Sequence, residues 1–362
     1  MLSFRSFLLF GLLCLGTALR ADTTFGDGPK LAASTAAMPL LRVEGKRFVN
    51  PAGETVVLRG LALSDPGHLK QKGQWGRAYF EAARSWNANV VRIPVHPSYW
   101  RTLGETEYLR MLDEGIQWAA ELGMYVIIDW HTIGNPLTDV YHRDMYITDR
   151  GETFRFWYTV ASRYEKNPAV AAYELFNEPT NRDGRMGRMP WSDYRAYLEE
   201  LIYMIRRINE RAIILVGGFD YAYDLTAVRE DPVRYPGIAY VSHPYPQKRG
   251  QPWEPQWERD WGFVADRYPV VATEFGFMSA DGRGAHVPVI GDETYGNALI
   301  AYFEKKGISW TAWVFDPQWS PQLVDDWSYT PTRQGRLFRE KLQQLNVGAS
   351  APQPRPAASP AQ

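Results

Sequence analysis

Two short apolar runs, each ending on a glutamate, hold the residues best suited to chemistry. They are Ala172-Tyr173-Glu174-Leu175-Phe176-Asn177-Glu178-Pro179 and Val270-Val271-Ala272-Thr273-Glu274-Phe275-Gly276. A buried strand that stops at a bare carboxylate is a poor structural solution, because an unpaired buried charge is costly. Two such strands suggest an acid and a nucleophile at one mouth. That pair is the equipment for breaking a glycosidic bond.

Such a pair works only if the fold brings both strand ends together. Strand patterns fall at Val57–Leu63, Asn89–Val95, Tyr125–Trp130, Val170–Phe176, Ala212–Val216, Ile238–Ser242, Val270–Glu274 and Ser309–Phe315. Helical patterns separate them. One carries Leu109, Leu112, Ile116 and Ala119 and stops at Gly123; another carries Tyr194, Leu198, Leu201, Ile205 and Ile208 and starts at Ser192. Apolar strands alternating with helices imply a parallel sheet buried on both faces. Closure into a single (β/α)8 TIM barrel is the expected α/β solution. The rival is an open doubly wound sheet, but no glycine-rich phosphate fingerprint follows the first strand. Ahead of the barrel, Leu41 to Val49 and Glu54 to Leu63 flank Asn50-Pro51-Ala52-Gly53, which reads as a hairpin turn.

A barrel carries its reactive groups at the carboxyl ends of the strands. Those ends supply Arg92, His131, Asn177, Glu178, His243, Tyr245, Glu274 and Trp313. Each has an ordinary reading alone: a salt-bridge arginine, structural histidines, a helix-capping asparagine, core aromatics. Their joint placement at strand ends is the signal.

With these residues in hand, the chain resembles glycoside hydrolase family 5, cellulase-type retaining β-glycanases on (β/α)8 barrels. The resemblance runs from about Leu41 to Leu345. It rests on Leu175-Phe176-Asn177-Glu178-Pro179 and Thr273-Glu274-Phe275-Gly276, with Arg59-Gly60, Val91-Arg92-Ile93-Pro94, Asp129-Trp130-His131, His243-Pro244-Tyr245 and Ser309-Trp310-Thr311-Ala312-Trp313 in support. It implies Glu178 as acid/base and Glu274 as nucleophile. The acid needs a site that keeps its proton near neutral pH. The nucleophile needs a fixed positive partner and donors, for which Arg92 and Tyr245 are the candidates. Asn177 is expected to donate to the sugar 2-hydroxyl. His131 and His243 are expected to bind sugar hydroxyls or orient the carboxylates, and Trp313 to offer a flat floor. The implied activity is endo-hydrolysis of β-1,4-glucan by double displacement, with β-mannan as the second substrate.

Aromatics make up 14% of the 362 residues, which suits a sugar-binding cleft. Tyr99, Trp100, Trp130, Trp191, Trp253, Trp257, Trp319 and Trp327 fall in expected loops after strands, and Trp253 with Trp257 is the best candidate for a distal subsite. A formal net charge of −1 gives no basic footprint for nucleic acid. No cofactor or metal is implied. A metal hydrolase using Asp129, His131 and His243 is a rival, but there is no His-x-His pair or HExxH helix. A non-catalytic carbohydrate-binding barrel is another, although such proteins usually lose one carboxylate and this chain keeps both.

Residues 1–21 read as an export signal, with Arg5, an apolar stretch from Leu8 to Leu19 and the small Ala21. A retained anchor is the alternative. The single cysteine, Cys14, lies inside this segment, so the exported protein would hold no disulfide. Residues 22–37 read as a flexible lead-in, 38–347 as the catalytic domain, and 348–362 as a disordered Pro/Ala-rich tail. The expected state is a secreted or periplasmic monomer, without membrane contact once the signal is removed, acting on β-linked polysaccharide or oligosaccharide.

Overall fold

The computed structural model describes residues 38–347. The expected signal, lead-in and tail lie outside these residues. Eight strands close into one barrel: β1 Arg59–Ala62, β2 Val90–Val95, β3 Tyr125–Trp130, β4 Val170–Glu174, β5 Ile214–Gly217, β6 Ile238–Val241, β7 Val270–Ala272 and β8 Ser309–Ala312. All neighbours pair in parallel, and β8 closes on β1 with Trp310 opposite Arg59 and Ala312 opposite Leu61. The (β/α)8 expectation is met, and the open sheet is excluded. Gly60 has a local reason: a Cβ there would stand 1.8 Å from the carbonyl oxygen of Val90 on the next strand.

Several barrel strands are shorter than their sequence patterns. β4 stops at Glu174, β7 at Ala272 and β8 at Ala312, so Asn177, Glu178, Glu274 and Trp313 sit just past the strand ends. The chain after β4 leaves the barrel for a rim sheet that sequence reasoning missed. There Glu178–Pro179 pairs in parallel with Ile133–Gly134, and Gly134–Asn135 pairs antiparallel with Val140–Tyr141.

The amino-terminal hairpin gains a strand. Arg42–Glu44 pairs with Arg47–Val49, which pairs with Thr55–Val56. The expected turn is present, with Asn50 Oδ1 accepting from the backbone N–H of Ala52 and of Glu54 at 3.0 Å each. The expected strand Leu41–Val49 is broken at Gly45, whose φ of +59° suits a residue without a Cβ. Tyr125, which opens β3, donates to the Pro39 carbonyl at 2.8 Å, so this segment covers the barrel's amino-terminal end.

The helix Glu105–Glu121 buries Leu109, Leu112, Ile116 and Ala119, and the helix Trp191–Ile208 buries Tyr194, Leu198, Leu201 and Ile205. The second starts one residue before the expected Ser192. Pro190 is its N-cap, and the Ser192 hydroxyl turns to Asp193 at 3.1 Å. No helix among the described residues is long and apolar enough to cross a membrane.

Candidate active site

Arg92 organises the mouth of the barrel. It projects inward from β2, is fully buried, and is surrounded by carboxylates. Its Nε and Nη2 donate to Glu174 at 2.7 and 3.0 Å, its Nη1 to Glu274 at 2.8 Å, and its Nη2 also to Asn177 Oδ1 at 2.6 Å. Asp129 stands 2.9 Å away. Burial opposes a charge here, but Asp129, Glu174 and Glu274 outweigh it and hold the guanidinium's pKa above its ordinary value. Such a cluster survives burial only because each charge is paired and hydrogen-bonded.

All eight expected site residues converge here. Glu274 is almost fully buried, and Tyr245 donates to its second oxygen at 3.2 Å. Burial pushes the Glu274 carboxyl up, His243 and Arg92 pull it down, and Glu178 and Glu174 push it up again. Glu178 keeps a partly exposed side chain. Its backbone is fixed by its N–H donating to the Thr132 carbonyl at 3.0 Å. Carboxylate oxygens of Glu178 and Glu274 and a ring nitrogen of His243 lie within 4.8 Å of one another.

His243 uses both ring nitrogens. Nδ1 faces Glu178 Oε1 at 3.0 Å and Nε2 faces Thr273 Oγ1 at 2.9 Å. Burial disfavours its charge, but Glu274, Glu174 and Glu178 prevail and push its pKa up to about 9. Both ring nitrogens thus face protein groups. His131 sits with Nδ1 2.6 Å from Asp129. Burial, with His96, Arg92 and His243 nearby, drives its pKa well below the ordinary value.

Asn177 has its Oδ1 on Arg92, while its buried Nδ2 meets no acceptor among the described residues. This is a donor awaiting a partner. Trp313 is anchored by its backbone N–H to the Phe275 carbonyl at 2.9 Å and by its indole N–H to the Ser320 carbonyl at 3.2 Å. Its ring is parallel to His131, with centroids 5.4 Å apart, and stacks against Trp319 at 6.1 Å.

His131, Asn177, Glu178, Tyr245, Glu274 and Trp313 line a cleft of about 960 Å³. Of the eight loop aromatics singled out from sequence, only Trp319 borders it. Tyr146 and Tyr221, which sequence reasoning missed, border it as well. Trp130 is buried against Phe156 and Trp100 packs beside it. The Trp253–Trp257 expectation is corrected in half. Both lie on the helix Trp253–Asp260, one turn apart, and Trp257 is buried against Tyr295 and Tyr302. Trp253 borders a separate side pocket of about 490 Å³ that meets the cleft at Gln247.

The sequence and the fold match known proteins. A family model described as Cellulase (glycosyl hydrolase family 5) matches residues 49–318. The chain belongs to glycosyl hydrolase family 5. Within the family, it is 40% identical to the β-glucanase SdGluc5_26A from Saccharophagus degradans, solved in complex with cellotetraose. That match has a TM-score of 0.86 and covers 88% of this chain and 98% of the other. Endoglucanase A of Butyrivibrio fibrisolvens is 29% identical over 256 residues, 67% of this chain. The chain spans about half that relative's length, 53%. The catalytic domain of Thermobifida fusca endoglucanase Cel5A shares the fold, with a TM-score of 0.68 at 22% identity, covering 84% and 98% of the two chains.

Two residues in contact with the site escaped the sequence reading. Glu174 accepts two hydrogen bonds from Arg92 and one from the Thr273 hydroxyl at 2.9 Å. Thr273 in turn meets His243. Both stand inside the two quoted runs. Glu174 also has the same strand parity as Ala172, an inward-facing signal that could have found it. Of the rival metal ligands, the Nδ1 of His131 faces Asp129, and both His243 nitrogens face protein groups.

Proposed function

We propose that this chain hydrolyses β-1,4-glucan within the polymer, with retention of configuration. Glu178 is the acid/base and Glu274 the nucleophile. The carrying observation is the carboxylate pair, whose nearest oxygens lie within 4.8 Å at one end of one cleft. Retaining hydrolysis uses carboxyl groups about 5–5.5 Å apart, whereas inversion needs about 6.5–9.5 Å to admit a water. Glu274, aimed by Arg92 and Tyr245, attacks the anomeric carbon as Glu178 protonates the leaving oxygen. The glycosyl-enzyme is then opened by a water that Glu178 deprotonates, restoring both carboxyl groups. The free Nδ2 of Asn177 is suited to the sugar 2-hydroxyl, where a bond that strengthens in the transition state lowers the barrier.

The substrate assignment draws on the relatives' names, β-glucanase and endoglucanase, and on the cellotetraose bound to one of them. A sugar's C–H face fits the Trp313 and Trp319 rings. The domain is residues 38–347, acting as a monomer outside the cell or in the periplasm, in keeping with the expected export signal. The test is proton NMR of the first product from a cello-oligosaccharide, together with a panel of carboxymethyl cellulose, barley β-glucan, mannan and laminarin. The β-anomer and preference for the β-1,4-glucans are expected. An α-anomer would refute the mechanism, and preference for mannan would refute the substrate.

A further inference from the structure

We propose that Thr273 and Glu174 are positioning residues that pin a proton on Nε2 of His243, so that the site's one mobile proton lies between His243 Nδ1 and Glu178. The inference rests on the reading of Glu178 as the acid/base. It follows from counting hydrogens. Glu174 is fully buried and takes two hydrogen bonds from Arg92. Burial resists its ionisation, but Arg92 and His243 prevail and hold its carboxyl below the usual range. An ionised carboxylate only accepts. The Thr273 hydroxyl, 2.9 Å from Glu174 Oε1, therefore gives its single hydrogen to Glu174. What Thr273 turns toward His243 Nε2, at 2.9 Å, is a lone pair. A lone pair against a ring nitrogen requires that nitrogen to carry the hydrogen.

With Nε2 committed, only Nδ1 can change state. At 3.0 Å from Glu178 Oε1, it has two arrangements. A bare Nδ1 accepts from a protonated Glu178, or a protonated Nδ1 donates to the carboxylate. The two differ by the position of one proton. Transfer to the leaving oxygen removes that proton from the pair, and deprotonation of the attacking water returns it. The other charged groups facing the ring are Glu274, 3.8 Å from Nδ1, and Glu174, 3.7 Å from Nε2, with Arg92 and His131 behind. A continuous run of hydrogen bonds thus passes beneath the cleft, from Glu274 through Arg92, Glu174, Thr273 and His243 to Glu178. The two ends are the groups that must carry opposite protonation at the start of each cycle.

Nitrogen-15 NMR of the histidine side chains in the full chain tests this directly, with the His243 signal assigned by its loss in His243→Asn. Nε2 is expected to stay protonated from about pH 5 to 9 while Nδ1 titrates. A bare Nε2 with the hydrogen on Nδ1 would overturn the inference. This measurement needs no turnover, so it stands apart from failure of the β-glucanase reading. In Thr273→Val, the Nε2–H loses its acceptor. The alkaline limb of the kcat/KM profile is expected about one pH unit lower, the worth of one hydrogen bond to a charged group. Thr273→Ser restores the hydroxyl and should restore the limb. Serine failing as valine does would mean that Thr273 serves packing alone, and would also overturn the inference.

Discussion

Replacing Tyr245 by phenylalanine removes one hydroxyl from beside the proposed nucleophile and little else. The Tyr245 hydroxyl donates to Glu274 Oε2 at 3.2 Å, from a side chain that is itself buried. Burial and the neighbouring Glu274 push its own pKa well above the ordinary value, so it remains a donor at every working pH. A hydrogen bond to a charged group contributes about 1.5–3 kcal/mol, and 3.2 Å is longer than the usual O–H···O distance of about 2.5–3.0 Å, which sets the low end. About 1.5 kcal/mol is therefore expected, close to one pKa unit. The bond favours the ionised form of Glu274, so its loss raises that carboxyl's pKa. Because the nucleophile must be ionised, the acid limb of kcat/KM moves up by about one pH unit while the alkaline limb stays. The assay is kcat/KM on a soluble cello-oligosaccharide across the pH range, beside a melting curve. An acid limb that superimposes on the parent's, in a variant of unchanged Tm, would refute the coupling of Tyr245 to Glu274.

Four further outcomes are expected. Glu178→Ala and Glu274→Ala should each lower turnover by at least about a hundredfold with circular dichroism unchanged; full activity in either would remove that residue from the mechanism. Asn177→Ala should lower kcat about a hundredfold on glucosides but add little on a 2-deoxy substrate, which lacks the partner hydroxyl. Trp319→Ala should raise KM about tenfold for long oligosaccharides, the apolar burial of one ring face at about 1.5 kcal/mol, and less for short ones; equal loss on both lengths would mean packing. Trp257→Ala should instead destabilise the fold by about 3–5 kcal/mol and leave KM unchanged, measured by denaturant unfolding beside steady-state kinetics.

The barrel was legible because eight β-branched and aliphatic runs, separated by helices with apolar stripes, have few other ways to bury both faces. Boundaries were less legible. The apolar pattern continues through Leu175, Phe176 and Phe315, which are buried although they lie past the last residues of their strands. A run of apolar residues reports burial, not strand pairing. The aromatics mark the same limit. Trp253 and Trp257 read as a loop pair, yet four-residue spacing puts them on one helix face, and only the helix's position sends Trp257 into the core.

The sequence by itself marked out candidate reactive groups, though not Glu174 or Thr273. Position at the carboxyl ends of the strands singled out Arg92, Asn177, Glu178 and Glu274 before any coordinates are known. Only the tertiary structure decided what each group touches. Glu174 and Thr273 come from strands far apart in the chain and meet at 2.9 Å because the barrel closes. His243 spends both nitrogens on neighbours from those two segments. Strand pattern is a local property of the chain, read two residues at a time. Hydrogen-bond partnership depends on distances that closure of the whole ring sets.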